Sequence, residues 1–304
     1  MRVAVTGASG LVGSALVPFL RAAGHDVLQL VRRPPAEANE ARWDPEAGTI
    51  DASALEGSDA VVHLAGDNIA AGRWTEAKKA RLRSSRVGPT RLLAETLAGL
   101  KHRPRVLVSA SAVGYYGSRG DAWLAETEPP ADDFLGRLSV AWEEAAAPAA
   151  AAGIRVVHPR IAIVLSPRGG ALGKMLLPFR LGIGGVVGPG TQYFSWIALN
   201  DLLGAIAWAL EHDELAGGVN AGSPSPVTNA ELTRTLGRVL GRPTLVPVPA
   251  FALRLALGEL ADSVLASTRM RPARLLASGF RYRHPELEGA LRDVLAPRGE
   301  AARE

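Results

Sequence analysis

Residues 2–13 read Arg2-Val-Ala-Val-Thr6-Gly7-Ala-Ser-Gly10-Leu-Val-Gly13, and this stretch decides the fold of the chain. The apolar run over residues 2–6 predicts a buried strand, and the helical spacing of apolar residues from Leu11 to Ala23 predicts a helix that ends at Gly24. Of the three glycines between them, the first allows a tight turn, the second lets the backbone approach a pyrophosphate, and the third lets helix and strand pack closely. A turn of this kind between a strand and a helix N-terminus predicts a dinucleotide site. Its predicted contacts are Gly7, Ser9, Gly10, Leu11, Val12 and Gly13.

Strands and helices alternate along the chain beyond this turn. The predicted strands are Asp26–Val31, Ala60–Leu64, Arg105–Ser109 and Arg155–Arg160. The predicted helices between and after them are Thr75–Leu100 and Asp133–Ala152. Such alternation calls for a parallel sheet covered on both faces, with right-handed crossovers. The sequence therefore predicts an α/β protein with a Rossmann-type, doubly wound parallel sheet.

The alternation weakens beyond Leu165 and predicts a smaller C-terminal α/β lobe. The elements predicted there are helices over Ala171–Arg180, Asp201–His212 and Thr228–Leu240, a strand over Tyr193–Ile197, short helices around 250–260 and 285–295, and a charged tail from Arg298. No clean linker divides the two parts. We expect residues 1–165, completed by parts of 195–225, to form the cofactor-binding domain, and residues 166–304 to form the substrate-binding lobe.

Composition excludes several classes of function. The 304 residues include no cysteine, which excludes disulfides, thiolate nucleophiles and cysteine-based metal sites and favours a cytoplasmic location. The net charge of +4 is spread singly along the chain, without a basic run interleaved with aromatics, so no nucleic-acid partner is expected. The uncharged stretches over 3–20 and 181–200 are broken by glycine and proline, so we expect no membrane span, no membrane partner and no targeting segment.

The end of the second predicted strand indicates which dinucleotide binds. An NAD site uses an acidic residue there for the ribose 2′-hydroxyl, whereas this chain has Arg32 and Arg33. A guanidinium pairs with the 2′-phosphate of NADP, so NADP(H) is the predicted cofactor and Arg32, nearest the strand end, is its first contact. The alternative is that both arginines are ordinary exposed loop residues.

Several further stretches resemble the extended and atypical short-chain dehydrogenase/reductases. They are Gly7-x-x-Gly10-x-x-Gly13, Val61-Val-His-Leu-Ala-Gly66, Val108-Ser-Ala-Ser-Ala-Val113 before Tyr115-Tyr116-Gly117, and Phe194-Ser-Trp-Ile197 before Asp201. A narrower resemblance, to the "epimerase family" of atypical members, is carried by Asp67-Asn-Ile69, Arg73-Trp74, Ser85-Arg86, Met175–Phe179 and Ser278–Tyr282. This resemblance covers nearly the whole chain. It implies the fold and NADP binding more specifically than it implies a reaction.

The resemblance also implies where the cofactor lies. Leu64, Ala65 and Gly66 pass beside it, and Arg86 on the following helix reaches it. The sequence itself supports the position of Ala65 and Gly66, because small side chains at the carboxyl end of a parallel strand let a ligand approach the backbone. Ser109 ends the next strand in the same crevice, although a serine at a strand end is often only a cap.

The sequence departs from that superfamily at its catalytic pair. Such enzymes usually carry Tyr-x-x-x-Lys on a helix, where the ammonium lowers the pKa of the phenol. The residues four places before the lysines of this chain are Trp74, Thr75, Leu97 and Gly170. The remaining acid/base candidates are Ser111, Tyr115, Tyr116 and Asp67.

Two functions stay open. The first is an NADP(H)-dependent oxidoreductase acting on a small molecule, and the second is a catalytically silent NADP(H)-binding regulatory or scaffold protein. The candidate substrate contacts, whose cations favour an anionic substrate, are Asn68, Arg73, Trp74, Lys174, Arg180 and Trp196. No pair of histidines has metal-ligand spacing, so no metal is expected. The sequence leaves the oligomeric state and the substrate open.

Overall fold

The first strand and helix lie where the glycine turn predicts them. The computed structural model describes residues 1–296, so the tail predicted from Arg298 lies outside the described residues. Strand β1 is Arg2–Thr6 and helix α1 is Gly13–Ala22. α1 continues through Pro18 rather than ending there.

The remaining strands are mostly short. They are β2 Asp26–Val31, β3 Glu40–Asp44, β4 Thr49–Ile50, β5 Ala60–His63, β6 Val106–Ser109, β7 Ser111–Ala112, β8 Trp123–Leu124, β9 Arg155–Ile161, β10 Ile163–Leu165, β11 Tyr193–Phe194, β12 Trp196–Ala198, β13 Gly217–Ala221, β14 Val227–Thr228 and β15 Arg269–Met270.

The remaining helices connect and cover these strands. They are α2 Ala52–Leu55, α3 Glu76–Gly99, α4 Phe134–Glu144, α5 Ala147–Ala151, α6 Gly170–Arg180, α7 Leu199–Glu211, α8 Asn229–Leu240, α9 Ala250–Leu257, α10 Leu260–Leu265, α11 Ala273–Ala277 and α12 Leu287–Leu295, with a 3₁₀ turn over Val113–Tyr115.

The central sheet positions the candidate site. Its order is β13-β9-β6-β5-β1-β2-β3-β4, with β7 beside β9, and every pair is parallel except β3 with β4. The chain moves outward in one direction from β1 to β2 and in the other from β1 to β5. Ligands of open parallel sheets bind at the carboxyl ends of the strands on either side of such a reversal. The doubly wound fold predicted from the sequence is confirmed.

Both faces of the sheet are covered. Val3 and Val5 point to one face, where they pack in one apolar cluster with Leu16 of α1 and Leu202 of α7. Ala4 points to the other face and packs in a second cluster that includes Leu93 of α3. Alternate residues of a strand point to opposite faces, so a strand covered on both sides is apolar throughout.

One predicted helix is two helices in the structure. The continuous helix expected over Asp133–Ala152 is divided into α4 and α5. Pro148 lies in the first turn of α5. Inside a longer helix its ring would clash with the carbonyl four residues earlier, and its missing N–H would leave one helical hydrogen bond unmade. The predicted helix boundary was wrong for this local reason.

Eight strands of the described residues were not predicted from the sequence, and one prediction merged two strands. The strands not predicted are β3, β4, β7, β8, β10, β13, β14 and β15, and β13 completes the large sheet beside β9. The strand expected over Tyr193–Ile197 is interrupted at Ser195, whose hydroxyl donates to the Thr268 carbonyl over 2.6 Å. β11 then pairs with β14, and β12 pairs with β10.

The C-terminal part has its own apolar cluster. Leu172 and Leu176 of α6, Leu232 of α8 and Leu291 of α12 pack together in it. Thr228 caps the N-terminus of α8, because the Glu231 amide donates to its hydroxyl over 3.2 Å. Within residues 1–296, no helix combines the length and apolar character needed to cross a bilayer.

Candidate functional site

The glycine turn between β1 and α1 is too tight for side chains at its first and third glycines. Gly7 has φ +68°, and a Cβ built there would lie 2.8 Å from the Leu64 carbonyl carbon. A Cβ at Gly13 would lie 2.1 Å from the Gly7 carbonyl oxygen. The roles predicted for these two glycines, a tight turn and close helix packing, therefore have a direct steric basis.

The turn leaves backbone donors at the start of α1. Within residues 1–296, the N–H groups of Leu11 and Val12 have no recorded acceptor, and Ser9 is exposed. Residues 64–66, at the end of β5, lie against the other side of the turn. We call the space between residues 7–13 and 64–66 the crevice. Its donors and partial positive charge suit an anionic group such as a pyrophosphate.

The two arginines after β2 differ in their contacts. Arg33 forms an ion pair with Glu40, to which both of its terminal nitrogens donate. Arg32 is exposed and forms no ion pair within the described residues. The first choice from sequence, Arg32, is thus the guanidinium available to a ligand, whereas Arg33 would first have to leave Glu40.

The Arg86 side chain lies at the end of β5. Its guanidinium donates to the Asp67 carbonyl over 2.9 Å and packs against Gly66, where a built Cβ would lie 3.3 Å from Cζ. The side chain of Trp142 covers its other side, with Cζ 5.0 Å from the ring centroid. This fixed guanidinium forms one wall of the crevice.

Asp67 follows the crevice and is held as a carboxylate. Lys78 Nζ donates to Asp67 Oδ2 over 2.7 Å, and the Asn68 amide donates to Oδ1 over 2.9 Å. The hydrogen bond from the Lys78 ammonium holds the pKa of the Asp67 carboxyl below its usual range. An ionised carboxylate accepts a proton but does not donate one, so Asp67 is unsuited to the role of general acid.

The loop after Asp67 contains three candidate substrate contacts. Asn68 and Arg73 are exposed at its surface. Trp74 is instead buried, donates from Nε1 to the Ile69 carbonyl over 2.9 Å, and packs edge-on against Phe134. The predicted contact of Trp74 with substrate is corrected here, because its side chain anchors the loop from below.

Two serines predicted to face a ligand are buried. Ser109 has no accessible surface, and its hydroxyl has no partner within residues 1–296. Ser111 is buried as well, and its hydroxyl donates to Glu143 Oε1 over 2.7 Å. A side chain without accessible surface cannot touch a ligand, so both lie behind the crevice wall in this structure.

The adjacent tyrosines have opposite environments. Tyr116 is fully buried, donates to Asn220 Oδ1 over 2.7 Å and accepts from Arg160 over 3.0 Å. Burial raises its pKa to about 12. Tyr115 is half-buried, and its hydroxyl has no hydrogen bond within the described residues. Tyr116 is corrected to a structural residue, and Tyr115 is the more accessible of the two phenols.

Arg160 organises these groups from inside the sheet. It forms a bidentate pair with Glu143 at 2.9 and 3.0 Å, and its Cζ lies 3.4 Å from the centroid of the Tyr115 ring. Because Glu143 also accepts from Ser111, one buried ion pair connects Ser111, Tyr115 and Tyr116. Tyr115 in turn packs against the apolar cluster that Val12 and Leu64 also contact.

The second part of the chain reaches the crevice through α6. A Cβ at Gly170 would lie 3.4 Å from Leu11 Cδ2, and one turn later Lys174 donates to the Ala70 carbonyl over 2.6 Å. Arg180 is exposed at the far end of the helix. Trp196 is corrected to a core residue, since it is fully buried and donates to the Ser225 carbonyl over 2.9 Å.

Sequence reasoning missed four residues of this region. Lys78, Glu143 and Arg160 received no role, although an arginine inside the apolar run of β9 is a signal that a buried partner exists. The fourth is His63, which contacts the Thr6 hydroxyl at 2.7 Å and the Thr90 hydroxyl at 2.9 Å. Burial lowers its pKa to about 4, so this imidazole is neutral near pH 7. Within residues 1–296, no three His, Asp or Glu side chains are grouped to hold a metal ion.

Comparisons with known proteins support this picture of the fold. The model of the NAD dependent epimerase/dehydratase family matches residues 3–222, and a domain of unknown function (DUF1731) matches residues 248–294. The chain is 46% identical over 290 residues to epimerase family protein MT2273 of Mycobacterium tuberculosis, covering 95% of this chain and 96% of the relative. It is 39% identical over 300 residues to human epimerase family protein SDR39U1, covering 97% and 100%.

Solved structures are similar as well. The crystal structure of human SDR39U1 (isoform 2) with NADPH has a TM-score of 0.89 and 37% identity, covering 97% of this chain and 99% of that one. A nucleoside-diphosphate sugar epimerase from Corynebacterium glutamicum has a TM-score of 0.79 and 38% identity over 97% of this chain, but only 58% of that chain is matched.

Proposed function

This chain belongs to the NAD-dependent epimerase/dehydratase family, and from that premise we propose that it is an NADP(H)-dependent oxidoreductase acting on a small anionic molecule. The observation that carries the proposal is the glycine turn itself. Within residues 1–296 it leaves the Leu11 and Val12 amides without acceptors, and Arg32, at the end of the neighbouring strand β2, is exposed and unpaired. Donors for a pyrophosphate and a cation for a 2′-phosphate are what an NADP(H) site requires. The human relative crystallised with NADPH supports the same cofactor.

Different residues of the crevice would bind different parts of NADP(H). The amides at the start of α1 would hold the pyrophosphate, and Arg32 would pair with the 2′-phosphate. Residues 64–66 and Arg86, which packs against Gly66, would line the cofactor along the end of β5. When bound, NADPH supplies a hydride to the substrate.

Tyr115 is the proposed proton donor to the oxygen of a reduced carbonyl. It is the candidate that combines accessibility with a hydroxyl not already hydrogen-bonded in residues 1–296, whereas Ser111 and Tyr116 are buried and Asp67 is ionised. Arg160 holds the ring in place by face-on packing. A guanidinium stays charged and cannot relay a proton as a lysine ammonium does, so Arg160 acts as a positioning residue.

We propose that the substrate binds between the loop over residues 67–74 and α6. Arg73 and Lys174 lie on these two segments, and Asn68 and Arg180 extend the polar surface. We assign cofactor binding to residues 1–165 with parts of 195–225, and substrate binding to 166–304. The absence of cysteine favours action in the reducing cytoplasm.

Calorimetric titration of the full chain with NADPH and with NADH tests the proposed cofactor. We expect NADPH to bind at least ~10-fold more tightly, which corresponds to about 1.4 kcal/mol from pairing the 2′-phosphate. Equal affinities contradict the assignment. A screen of small carboxylate- and phosphate-bearing carbonyl compounds, followed by NADPH absorbance, then tests the activity. Tight NADPH binding without any turnover would favour the alternative of a catalytically silent regulatory protein.

A further inference from the structure

A group of large apolar side chains stands exposed on one side of the C-terminal part. Leu245, Leu255 and Phe251 have 83%, 76% and 73% of their surface accessible. The apolar patch consists of Leu177, Leu181, Ile183, Leu245, Val246, Phe251 and Leu255.

The backbone brings these residues together from two segments. Residues 182–188 run beside residues 243–248, with Val187 paired to Val248 in a parallel bridge. The Gly188 amide donates to the Val248 carbonyl over 2.9 Å. α6 leads directly into the first segment and α9 follows directly on the second. The patch is therefore one surface rather than scattered side chains.

Seven large apolar side chains are exposed in this region. The largest apolar patch of a typical monomer is about 300–600 Å² and is often functional. α9, with the sequence Ala250-Phe-Ala-Leu-Arg-Leu-Ala-Leu257, contributes no buried residue at all. Leu257 packs against the cluster that contains Leu260, whereas Phe251 and Leu255 stay exposed, which has a free energy cost in water unless something covers them.

The two segments that carry the patch are cationic. Residues 170–188 and 241–257 contain four cations and no aspartate or glutamate. Arg180 and Arg242 form no ion pair within residues 1–296, and Arg254 pairs with Asp262 of α10 at 3.2 Å. The patch thus combines exposed apolar groups with two arginines, Arg180 and Arg242, that are unpaired within the described residues.

We propose that the apolar patch lies on the surface of an anionic lipid bilayer, with Phe251 and Leu255 inserted at the headgroup level and Arg180 and Arg242 near lipid phosphates. Exposed apolar side chains flanked by Arg and Lys are the combination that interfacial membrane binding uses. The sequence expectation of no membrane partner rested on the lack of a spanning segment, and a surface that lies on a bilayer needs none.

Two other occupants fit less well. A second copy docked by a two-fold axis would bring the same patch against itself and so place cations against cations. An acidic amphipathic helix of another protein requires a groove, whereas these side chains project outward. A flat bilayer accepts projecting side chains and supplies the negative charge.

Vesicle co-sedimentation of the full chain tests the proposal. We expect binding to vesicles of equimolar phosphatidylcholine and phosphatidylglycerol, and much weaker binding to phosphatidylcholine alone. The double variant Phe251→Ser/Leu255→Ser should lose most binding to both. Arg180→Gln/Arg242→Gln should lose about 30-fold on the anionic vesicles, at roughly five-fold for each cation near the surface.

Matched variants elsewhere on the surface serve as controls. Leu276→Ser on α11 removes an exposed leucine outside the patch, and Arg91→Gln on α3 removes an exposed cation. Both should bind vesicles like the unchanged chain.

NADPH titration of every variant reports whether that variant is folded. If a double variant does not fold, its two single substitutions are tested separately. Failure of the unchanged chain to bind anionic vesicles overturns the proposal, as does binding that survives the patch variants. A dimer in light scattering that Phe251→Ser/Leu255→Ser dissociates, without vesicle binding, assigns the patch to a second copy instead.

Discussion

Arg32 and Arg33 are neighbours in sequence but differ in what they can bind. Glu40 occupies Arg33 through two hydrogen bonds, whereas Arg32 projects into solvent at the end of β2. Charge-assisted pairing with a phosphate requires a guanidinium that is not already engaged. Arg32 is therefore the residue that we propose distinguishes NADP(H) from NAD(H).

Arg32→Ala should erase most of the preference for NADPH over NADH while leaving NADH affinity nearly unchanged. The lost term is the pairing with the 2′-phosphate, about 1.4 kcal/mol. Arg33→Ala is the matched control and should keep the preference, because its partner is Glu40. Calorimetry with both cofactors measures this, and a preference that survives Arg32→Ala but not Arg33→Ala would reverse the assignment.

Tyr115→Phe and Tyr116→Phe should fail in different ways. Tyr115→Phe removes the proposed proton donor, so kcat should fall by about 10²–10⁴-fold with NADPH affinity unchanged. Tyr116→Phe leaves Asn220 Oδ1 without its donor in the core, which costs about 1–3 kcal/mol of unfolding free energy. NADPH oxidation with a substrate found in the screen measures the first change, and urea unfolding the second. Full activity in Tyr115→Phe would remove the phenol from the mechanism.

At the scale of elements, the strand–turn–helix unit of β1 and α1 is held by backbone proximity. The helix starts against the carbonyl of Gly7, so no side chain fits at Gly13. Gly88 in α3 is the contrasting glycine, since a Cβ there meets nothing within 4 Å. Close backbone contact thus requires glycine at position 13, whereas no steric contact requires it at position 88.

Gly13→Ala should abolish NADPH binding and destabilise the protein by about 1–3 kcal/mol or more, because its methyl group forces the helix away from the turn. Gly88→Ala, the control, should bind NADPH normally and gain up to about 1 kcal/mol from better helix propensity. Thermal melting and NADPH titration of both variants check this. Normal cofactor binding by Gly13→Ala would show that the crevice does not depend on this close approach.

At the scale of the whole molecule, His63 makes stability depend on pH. Its imidazole is buried beneath the crevice between Thr6 and Thr90, where its pKa is about 4, against about 6.5 in an unfolded chain. The unfolded state thus binds a proton more readily between these pH values, and stability falls as pH drops from about 6.5 to about 4. Burial also lowers the pKa of His158, which adds to the same trend.

Between pH 7 and pH 5, His63 should account for a loss of about 2 kcal/mol in the free energy of unfolding. Urea unfolding of the unchanged chain and of His63→Gln at both pH values isolates this part, since glutamine does not titrate. Equal losses in the two proteins would contradict the buried, neutral imidazole. If His63→Gln does not fold, an NMR titration of the His63 ring should show no protonation above about pH 5.

Much of the fold follows from local sequence. β2 begins and ends at the predicted residues, and α3, predicted over Thr75–Leu100, spans Glu76–Gly99. These boundaries depend on apolar runs, caps and glycines within a few residues of each other. The Gly7–Gly13 turn is the clearest case, because its purpose can be read from strand, turn and helix alone.

The identity of the working side chains depended on tertiary structure. The sequence analysis named both Tyr115 and Tyr116 as candidates. It could not show that Tyr116 is the buried one, because its partner Asn220 lies 104 residues further along the chain. In the same way, nothing near Arg32 in sequence shows that Glu40 occupies only its neighbour, and nothing in α9 shows that its apolar side chains remain uncovered. Local patterns determine strands, turns and helices, whereas the burial and pairing of a side chain depend on residues that the fold brings from elsewhere in the chain.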